Sequence, residues 1–145
     1  LDMAALPGLA DYVLVEADGS RGLPLKAHLP HEPVIPDCAV QTVLLAGASG
    51  FGRPIREAVH RPERYCALSG ASPGDTATPR NLAAVLAAER LGDRVFVNQA
   101  DTAAALDLAG ELAALLPWPV CAGSLQGGKW TCLSSYGAAG ISPPA

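Results

Sequence analysis

The sequence predicts an α/β protein with an open, mostly parallel sheet flanked by helices. Apolar segments of strand length alternate with helical patterns along the chain, and this order is typical of parallel sheets. The chain has 145 residues, half of them hydrophobic, which is enough for one domain with its own core. We therefore predict a single α/β domain over residues 1–133 and a mobile C-terminal tail over residues 134–145, which has no periodicity and two prolines.

The first half is predicted to contain a helix, two strands and a long loop. A short helix over Leu1–Leu6 ends at a Pro-Gly pair. The continuous apolar run Tyr12–Ala17 predicts a strand that is buried on both faces of a parallel sheet. Four prolines and two glycines between Gly19 and Pro36 exclude a regular element and indicate an ordered loop or lid. Val40–Ala46 predicts a second strand, and the glycine-rich turn Gly47–Gly52 follows it.

The second half alternates helices with strands. Prolines at first helical positions, capping side chains and terminal glycines mark the helix ends, and leucines at helical spacing give the longer helices a buried face. In chain order we expect a helix from Arg61–Pro62 to Gly70, a helix from Thr78–Pro79 to about Leu91, a strand Val95–Asn98, a helix capped by Asp101 or Thr102 and stopped by Pro117, a strand Trp118–Ala122 and an edge strand Lys129–Leu133.

Charge and hydropathy exclude several classes of protein. The chain has 14 acidic and 10 basic residues, a net charge of −4, and its basic residues are scattered, which argues against a nucleic-acid-binding surface. No apolar run approaches the roughly 18 to 20 residues of a membrane span, and the N-terminus lacks a signal-peptide pattern. We expect a cytoplasmic protein that binds neither nucleic acid nor membrane. The sequence is compatible with a homo-oligomer.

The four cysteines, Cys38, Cys66, Cys121 and Cys132, are widely separated and form no C-x-x-C pair. This pattern predicts free thiols in a reducing cytoplasm. Cys121 lies in an apolar segment, where a thiol behaves as a small core hydrophobe, so we assign it no ligand role.

Two acidic residues end the first predicted strand. Glu16 and Asp18 stand at alternate positions, so an extended chain would point both carboxylates to the same side. Ligands of parallel sheets bind beyond the carboxyl ends of the strands, where carboxylates can hold a phosphate-bound Mg²⁺ or orient an attacking water. We therefore assign Glu16 and Asp18 as candidate catalytic and Mg²⁺-binding residues, and Arg21 and Lys26 as candidate contacts to phosphate. Alternatively, the acids cap a turn at a solvated strand end and the two cations balance their charge.

A second apolar run ends in the sequence Asn98-Gln-Ala-Asp101. It resembles the guanine-reading N-K-x-D motif of GTPases, in which the aspartate accepts hydrogen bonds from the guanine N1 and N2 protons. Gln99 replaces the lysine that normally packs across the base, which weakens the argument for guanine. We assign Asn98 and Asp101 as nucleotide-binding candidates, although Asp101 can also cap the following helix.

The segment Val59–Arg64, with the sequence VHRPER, places a histidine and two arginines at a helix start. Positive charge at this position favours an anion. His60, Arg61 and Arg64 are therefore candidate contacts to an anionic substrate, and an exposed charged turn explains the same pattern.

Histidines in the proline-rich loop suggest a weaker alternative. His31 is a further candidate for substrate contact, and it is close in sequence to His28 and Glu32. With His60 these residues could form a metal site, but they lack the fixed helical spacing of known metal motifs.

Four segments occur in the order VLVEADGSRGLPLKA, HEPVIP, VHRPER and VNQAD. Together, over about residues 11–125, they resemble the YqeC family of accessory proteins for selenium-dependent molybdenum hydroxylases. The resemblance implies a P-loop NTPase-like fold, an N-terminal G-K-T loop, Mg²⁺ with GTP or ATP as ligands, and molybdenum hydroxylases or cofactor-maturation proteins as partners. By position it places Glu16 and Asp18 at the strand end that faces Mg²⁺, and Asn98 and Asp101 in the base-reading loop.

The chain departs from this family pattern at the phosphate loop. No G-x-x-x-x-G-K-[ST] sequence occurs in the 145 residues, and the turn Gly47–Gly52 lacks the lysine. The chain therefore resembles the C-terminal two-thirds of a family member, and we expect it to bind nucleotide weakly and hydrolyse it negligibly by itself. A sheet without a central strand would also leave an apolar edge exposed unless another segment or chain covers it.

Three functions are consistent with these patterns. The first is a nucleotide-dependent accessory factor for maturation of selenium-dependent molybdenum hydroxylases. The second is a non-enzymatic module that binds or delivers a cofactor, selenium or metal through His28, His31, His60, the arginines and Cys38. The third is a structural domain used only for partner contact. The sequence does not distinguish guanine from adenine.

Overall fold

The structure is a computed structural model that describes Gly8 and residues 10–134. Its strands are β1 (Leu25–Lys26), β2 (Val43–Gly47), β3 (Val59–His60), β4 (Arg94–Asn98), β5 (Val120–Ser124) and β6 (Lys129–Cys132). Its helices are α1 (Ile55–Ala58), α2 (Pro62–Ser69), α3 (Pro79–Glu89) and α4 (Ala103–Leu115), with a 3₁₀ turn at Ala48–Gly50. The strands form a four-stranded sheet in the order β2, β4, β5, β6 and a two-stranded sheet of β1 and β3.

Three neighbouring strands of the larger sheet are parallel. β4 lies between β2 and β5, so Val95 pairs with Leu44 on one side and with Val120 on the other. β6 runs antiparallel to β5 at the far edge. The chain is thus α/β with mixed, mostly parallel sheets flanked by helices, as the alternating sequence pattern predicts.

One hydrophobic cluster joins the larger sheet to α3 and α4. Val97 and Val120 of the strands are fully buried, as is Leu112 of α4, and Leu82 of α3 is nearly so. Burying each aliphatic side chain of this size contributes about 1.5–3 kcal/mol relative to leaving it exposed. The apolar helix faces predicted from leucine spacing therefore hold the helices against the sheet.

Short polar residues and prolines set the helix ends as predicted. Thr78 caps α3 and Pro79 occupies its first turn. Thr102, rather than Asp101, caps α4 by accepting a hydrogen bond from the Ala105 amide at 3.2 Å. The Asp101 carboxylate is therefore not used as the helix cap. No helix in the described part of the chain is long and apolar enough to cross a membrane.

The predicted strand Tyr12–Ala17 is wrong for the described structure. The segment joins no sheet, and Tyr12 and Leu14 are 90% and 97% exposed. The Ala17 carbonyl accepts a hydrogen bond from the Val34 amide at 3.3 Å, which is a loop contact. An apolar run becomes a strand only where a neighbouring strand can pair with its amides and carbonyls, and none of the described strands does so.

Two predicted strand boundaries also shift. β2 begins at Val43 instead of Val40, which is fully exposed. β5 begins at Val120 instead of Trp118, because Pro119 has no amide hydrogen to donate to the ladder. In the described part of the chain, Val43 and Leu45 on β2, the first strand of the larger sheet, are 48% and 67% exposed.

Four short elements were not predicted, because two to four residues carry no readable periodicity: β1, β3, α1 and the 3₁₀ turn. β1 lies within the segment Gly19–Pro36 that was predicted to be an irregular loop. α3 ends at Glu89, two residues before the predicted end. The predicted helix Leu1–Leu6 and, apart from Ser134, the predicted mobile tail lie outside the described residues.

Candidate functional site

Six charged or titratable side chains form a connected group, which we call the ionic cluster. Its members are Asp18, Lys26, His28, Glu32, Arg61 and Glu89. The parallel pairing of β1 with β3 builds this group, since Leu25 pairs with Val59 and Lys26 pairs with His60. The pairing places the LPLKA and VHRPER segments, which are far apart in sequence, side by side.

Lys26 lies at the centre of the ionic cluster. Its ammonium group forms an ion pair with Asp18 and donates a hydrogen bond to the Gly19 carbonyl at 2.8 Å. On the other side, Nζ lies 3.6 Å from the Glu32 carboxylate. The Lys26 side chain is only 9% exposed, so these oxygens replace the water that the ammonium loses on burial.

Arg61 holds Glu32 with a forked pair of hydrogen bonds. Its Nε donates to one carboxylate oxygen at 3.1 Å, and its Nη2 donates to the other. This bidentate geometry is stronger than a single charged contact. The hydrogen bond from Arg61, together with the charges of Arg61 and Lys26, lowers the pKa of Glu32 although partial burial opposes the shift.

His28 links Asp18 to Glu89 of α3, with one ring nitrogen near each carboxylate. Nε2 lies 3.3 Å from Asp18, and Nδ1 lies 2.8 Å from Glu89. The other Glu89 oxygen accepts a hydrogen bond from the His28 amide at 2.6 Å. The Glu89 side chain is only 4% exposed, so its carboxylate depends on His28 for the hydrogen bonds that water would otherwise provide.

His60 lies at the border of the cluster, among cations. Burial lowers the pKa of His60, and the charges of Arg61, Lys26 and Arg21 lower it further, while the charge of Glu32 opposes them. His60 is therefore neutral at neutral pH. Arg21 is exposed and makes no hydrogen bond or ion pair with any residue that the structure describes, so its guanidinium is available to an anion.

The last residue of β4 and the loop that follows it, residues 98–101, carry the second group of candidate residues, and we call this stretch the loop after β4. The Asn98 side chain accepts a hydrogen bond from the Leu125 amide at 3.0 Å, and Gln99 accepts one from the Ser49 hydroxyl at 2.6 Å. These bonds tie the loop to the segments that follow β5 and β2. Asp101 is exposed and, within the described residues, has no hydrogen bond or ion pair, so its carboxylate faces solvent.

Gly47, the last residue of β2, lies between the loop after β4 and Pro24, the residue that precedes β1. A Cβ atom there would lie 2.5 Å from Gln99 Oε1 and 2.8 Å from Pro24 Cβ, so no larger residue fits without movement. The Gly47 amide also donates to the Pro24 carbonyl at 2.7 Å. Because Pro24 directly precedes β1, the β1 and β3 unit and the loop after β4 meet at the carboxyl edge of the larger sheet. Ligands of α/β sheets typically bind at this edge.

A known family model matches the part of the chain that carries most of the ionic cluster. The model of the YqeC protein family matches residues 2–63. Over 77 residues, 52% of its length, the chain is 38% identical to the uncharacterized protein YqeC of Escherichia coli (strain K12). The chain is similar to YqeC proteins. The matched stretch covers 30% of the length of that curated relative, and no solved structure matches the chain.

The YqeC family match covers most of the ionic cluster but not the loop after β4. All members of the ionic cluster except Glu89 lie within residues 2–63. The loop after β4 lies beyond the family match. The cluster residues are therefore the part of the site that the YqeC model covers directly.

The structure brings several predicted site residues together. Asp18, Lys26 and Arg61 belong to the ionic cluster, and His60 borders it. Arg64 reaches the same region through the backbone, since its Nε donates to the His28 carbonyl at 3.4 Å.

Other predicted site residues do not join this group. Glu16 and His31 are exposed and form no hydrogen bond or ion pair within the described ranges. The strand that was expected to point Glu16 and Asp18 to the same side is not formed. Asp18 forms an ion pair with Lys26, whereas Glu16 is exposed.

Glu89 was not among the candidate residues predicted from the sequence. A signal was present: Glu89 follows Leu82 and Leu86 at helical spacing, so it falls on the apolar face of α3. A carboxylate at such a position needs a buried partner, and His28 provides it.

The predicted histidine metal site is not formed in the described structure. Among residues 10–134, no group of three or more His, Cys, Asp or Glu side chains is arranged to hold a metal ion. Both ring nitrogens of His28 contact carboxylates of the ionic cluster, and His31 is exposed.

Proposed function

We propose that this chain belongs to the YqeC family and forms part of a nucleotide-dependent accessory factor for the maturation of selenium-dependent molybdenum hydroxylases. In this proposal it supplies the metal-facing and base-facing sides of a P-loop NTPase-like nucleotide site. The observation that carries the proposal is the contact at Gly47, where Pro24, which precedes β1, and Gln99 of the loop after β4 approach the same residue at the carboxyl edge of the sheet. The family match over residues 2–63 supports it.

Asp101 is the residue proposed to read the base. Asn98 and Gln99 already use their side-chain oxygens to hold the loop, whereas the Asp101 carboxylate is exposed and not used as a helix cap. A carboxylate accepts hydrogen bonds only, so it fits the adjacent N1 and N2 donors of guanine. This assignment favours GTP over ATP.

Asp18 and Arg21 are proposed to face the metal and the phosphates. Both Lys26 and His28 contact Asp18 through its Oδ2 atom. The other carboxylate oxygen, Oδ1, takes part in neither contact and can bind a hydrated Mg²⁺. The exposed Arg21 can contact a phosphate oxygen. When bound with the nucleotide, Mg²⁺ neutralises charge on the phosphates.

Calorimetric titration with GTP and ATP in the presence of Mg²⁺ tests the nucleotide site. The titrations compare this chain with a version extended by whatever in-frame residues precede Leu1 in the gene. We expect tighter binding by the extended version, because backbone amides and a lysine of a phosphate loop would contact the β- and γ-phosphates. Equal affinity would contradict the role given to that loop, and no binding by either version would overturn the proposal.

The Asp101→Asn substitution, made in whichever version of the chain binds nucleotide, tests the role of Asp101 in recognising the base. The amide of asparagine presents a donor where aspartate only accepts, so affinity for GTP should fall about 10- to 100-fold, the effect of losing a charged hydrogen bond. Affinity for xanthosine triphosphate, which carries an oxygen at position 2, should rise. Asp107→Asn, an exposed acid on α4, is the matched control and should change neither affinity. Unchanged GTP affinity in Asp101→Asn would exclude this base-reading role.

A further inference from the structure

Cys121 and Cys132 lie directly opposite each other on two hydrogen-bonded strands. Cys121 on β5 pairs with Cys132 on β6 in antiparallel register. The Leu133 amide donates to the Val120 carbonyl at 2.8 Å, so the ladder bonds lie on the residues that flank the cysteines. The cysteines thus form a non-hydrogen-bonded pair, in which Cα atoms are about 4.5 Å apart and side chains approach closely.

This geometry suits a disulfide. Disulfides require a Cα separation of about 4.4–6.8 Å, which the register provides. The two sulfur atoms are 2.9 Å apart, within reach of a bond of about 2.05 Å after a small rotation of each side chain. We propose that Cys121 and Cys132 form a reversible intramolecular disulfide that joins β6 to β5. This inference does not depend on the proposed function.

The exposure of the two thiols sets the order of the reaction. Cys132 is exposed, whereas Cys121 is half-buried, and burial together with the neighbouring Cys132 raises the pKa of Cys121 to about 11. The Cys132 thiolate therefore attacks first.

A low-molecular-weight disulfide of the glutathione type serves as the oxidant. Cys132 bonds to one sulfur of the oxidant and releases the other half as a thiolate. Cys121 then loses its proton and attacks the Cys132 sulfur, which releases the second thiolate. The protein loses two electrons and two protons, and the oxidant is reduced to two thiols.

The disulfide would restrain an edge strand and the turn beside it. The closed loop runs from residue 121 to residue 132 and includes Leu125, whose amide donates to the Asn98 side chain at 3.0 Å. Cross-linking lowers the conformational freedom of the unfolded chain, so oxidation stabilises the folded protein.

Thiol counting with peptide mapping tests the bond. The reduced protein has four thiols. After treatment with oxidised glutathione and removal of the reagent, we expect two remaining thiols and a cross-linked peptide pair that contains Cys121 and Cys132. The Cys38→Ser variant, which keeps the pair, should fall from three thiols to one. A stable mixed disulfide on Cys132, or a cross-link that involves Cys38 or Cys66 instead, would overturn the proposal.

Thermal unfolding provides a second measurement on the same samples. Oxidation should raise the melting temperature by roughly 5–10 °C, from closure of a short loop in a domain of this size, and dithiothreitol should reverse the shift. Cys132→Ser should show no such shift, and Cys38→Ser should behave like the natural protein. An equal shift in Cys132→Ser would show that the stabilisation comes from another modification.

Discussion

The ionic cluster is built on the β1 and β3 unit, which meets the loop after β4 at Gly47, yet the two regions use their polar side chains in opposite ways. In the cluster, charged groups pair with one another: Lys26 contacts two carboxylates, and Glu89 is held by His28. In the loop, Asn98 and Gln99 accept hydrogen bonds from the segments that follow β5 and β2, while Asp101 faces solvent. In the first region the charged side chains bind one another, whereas the second region leaves a carboxylate exposed to solvent.

This difference determines which substitutions should affect folding and which should affect ligands. A buried ion pair adds little net stability compared with apolar packing, but removal of one partner leaves a buried polar group unpaired and is costly. An exposed carboxylate without a partner has no such cost. Carboxylates in the two regions should therefore differ by several kcal/mol in their importance for folding.

Removal of Glu89 should have the largest effect. Glu89→Ala deprives the His28 amide and ring of their acceptor in a nearly buried site, so the free energy of unfolding should fall by about 2–4 kcal/mol. The measurement is urea unfolding followed by circular dichroism. Asp101→Ala removes a carboxylate from the loop and is the matched control, expected to stay within about 0.5 kcal/mol of the natural protein. Similar losses in both variants would contradict the distinction between the two regions.

Gly47→Ala should have the next largest effect, because it forces the two regions apart. The new methyl group would meet the Pro24 ring at 2.8 Å, and although Gln99 can move its amide, Pro24 is fixed by its backbone hydrogen bond. We expect a loss of about 1–3 kcal/mol in the free energy of unfolding.

The control for Gly47→Ala is Gly110→Ala in α4. A Cβ at Gly110 meets no neighbour within 4 Å, so this change should instead stabilise the helix by about 0.5–1 kcal/mol. If Gly47→Ala lowers the free energy of unfolding no more than Gly110→Ala does, the inferred tight contact between the two regions is contradicted.

The regular framework followed from local sequence, whereas the pairing of charged side chains between distant segments did not. Pro79 and Thr102 marked helix starts, because capping and proline geometry depend on a few adjacent residues. The run Tyr12–Ala17 failed as a strand, because strand formation needs a partner that the run does not contain.

The candidate site shows the same limit. The sequence marked Lys26 and Arg61 as charged candidates, but their link through Glu32 depends on the β1 and β3 pairing, and neither strand was predicted. Cys121 and Cys132 likewise come together only through the register of two strands. Local patterns thus identified the chemistry of these residues but not their partners.

Protonation of His60 should give the smallest effect and tests where the cluster ends. The folded-state pKa of His60 is lowered from 6.5 by burial and by its cationic neighbours, so the unfolded chain binds a proton at a higher pH than the folded chain. Stability contributed by neutral His60 is complete above about pH 6.5 and is lost as the pH falls below 6.5 towards the lower pKa of the folded state. In urea unfolding between pH 7.5 and 5.0, His60→Gln should lose less stability than the natural protein.

His31→Gln is the matched control for this measurement, because His31 is exposed and has no described partner. It should follow the pH dependence of the natural protein. The lowered pKa of Glu32 acts in a different window, since its contribution is present above about pH 4.5 and is lost at lower pH. If His60→Gln and His31→Gln change the pH profile equally between pH 7.5 and 5.0, His60 does not sense the cluster cations, and the cluster ends at Lys26 and Arg61.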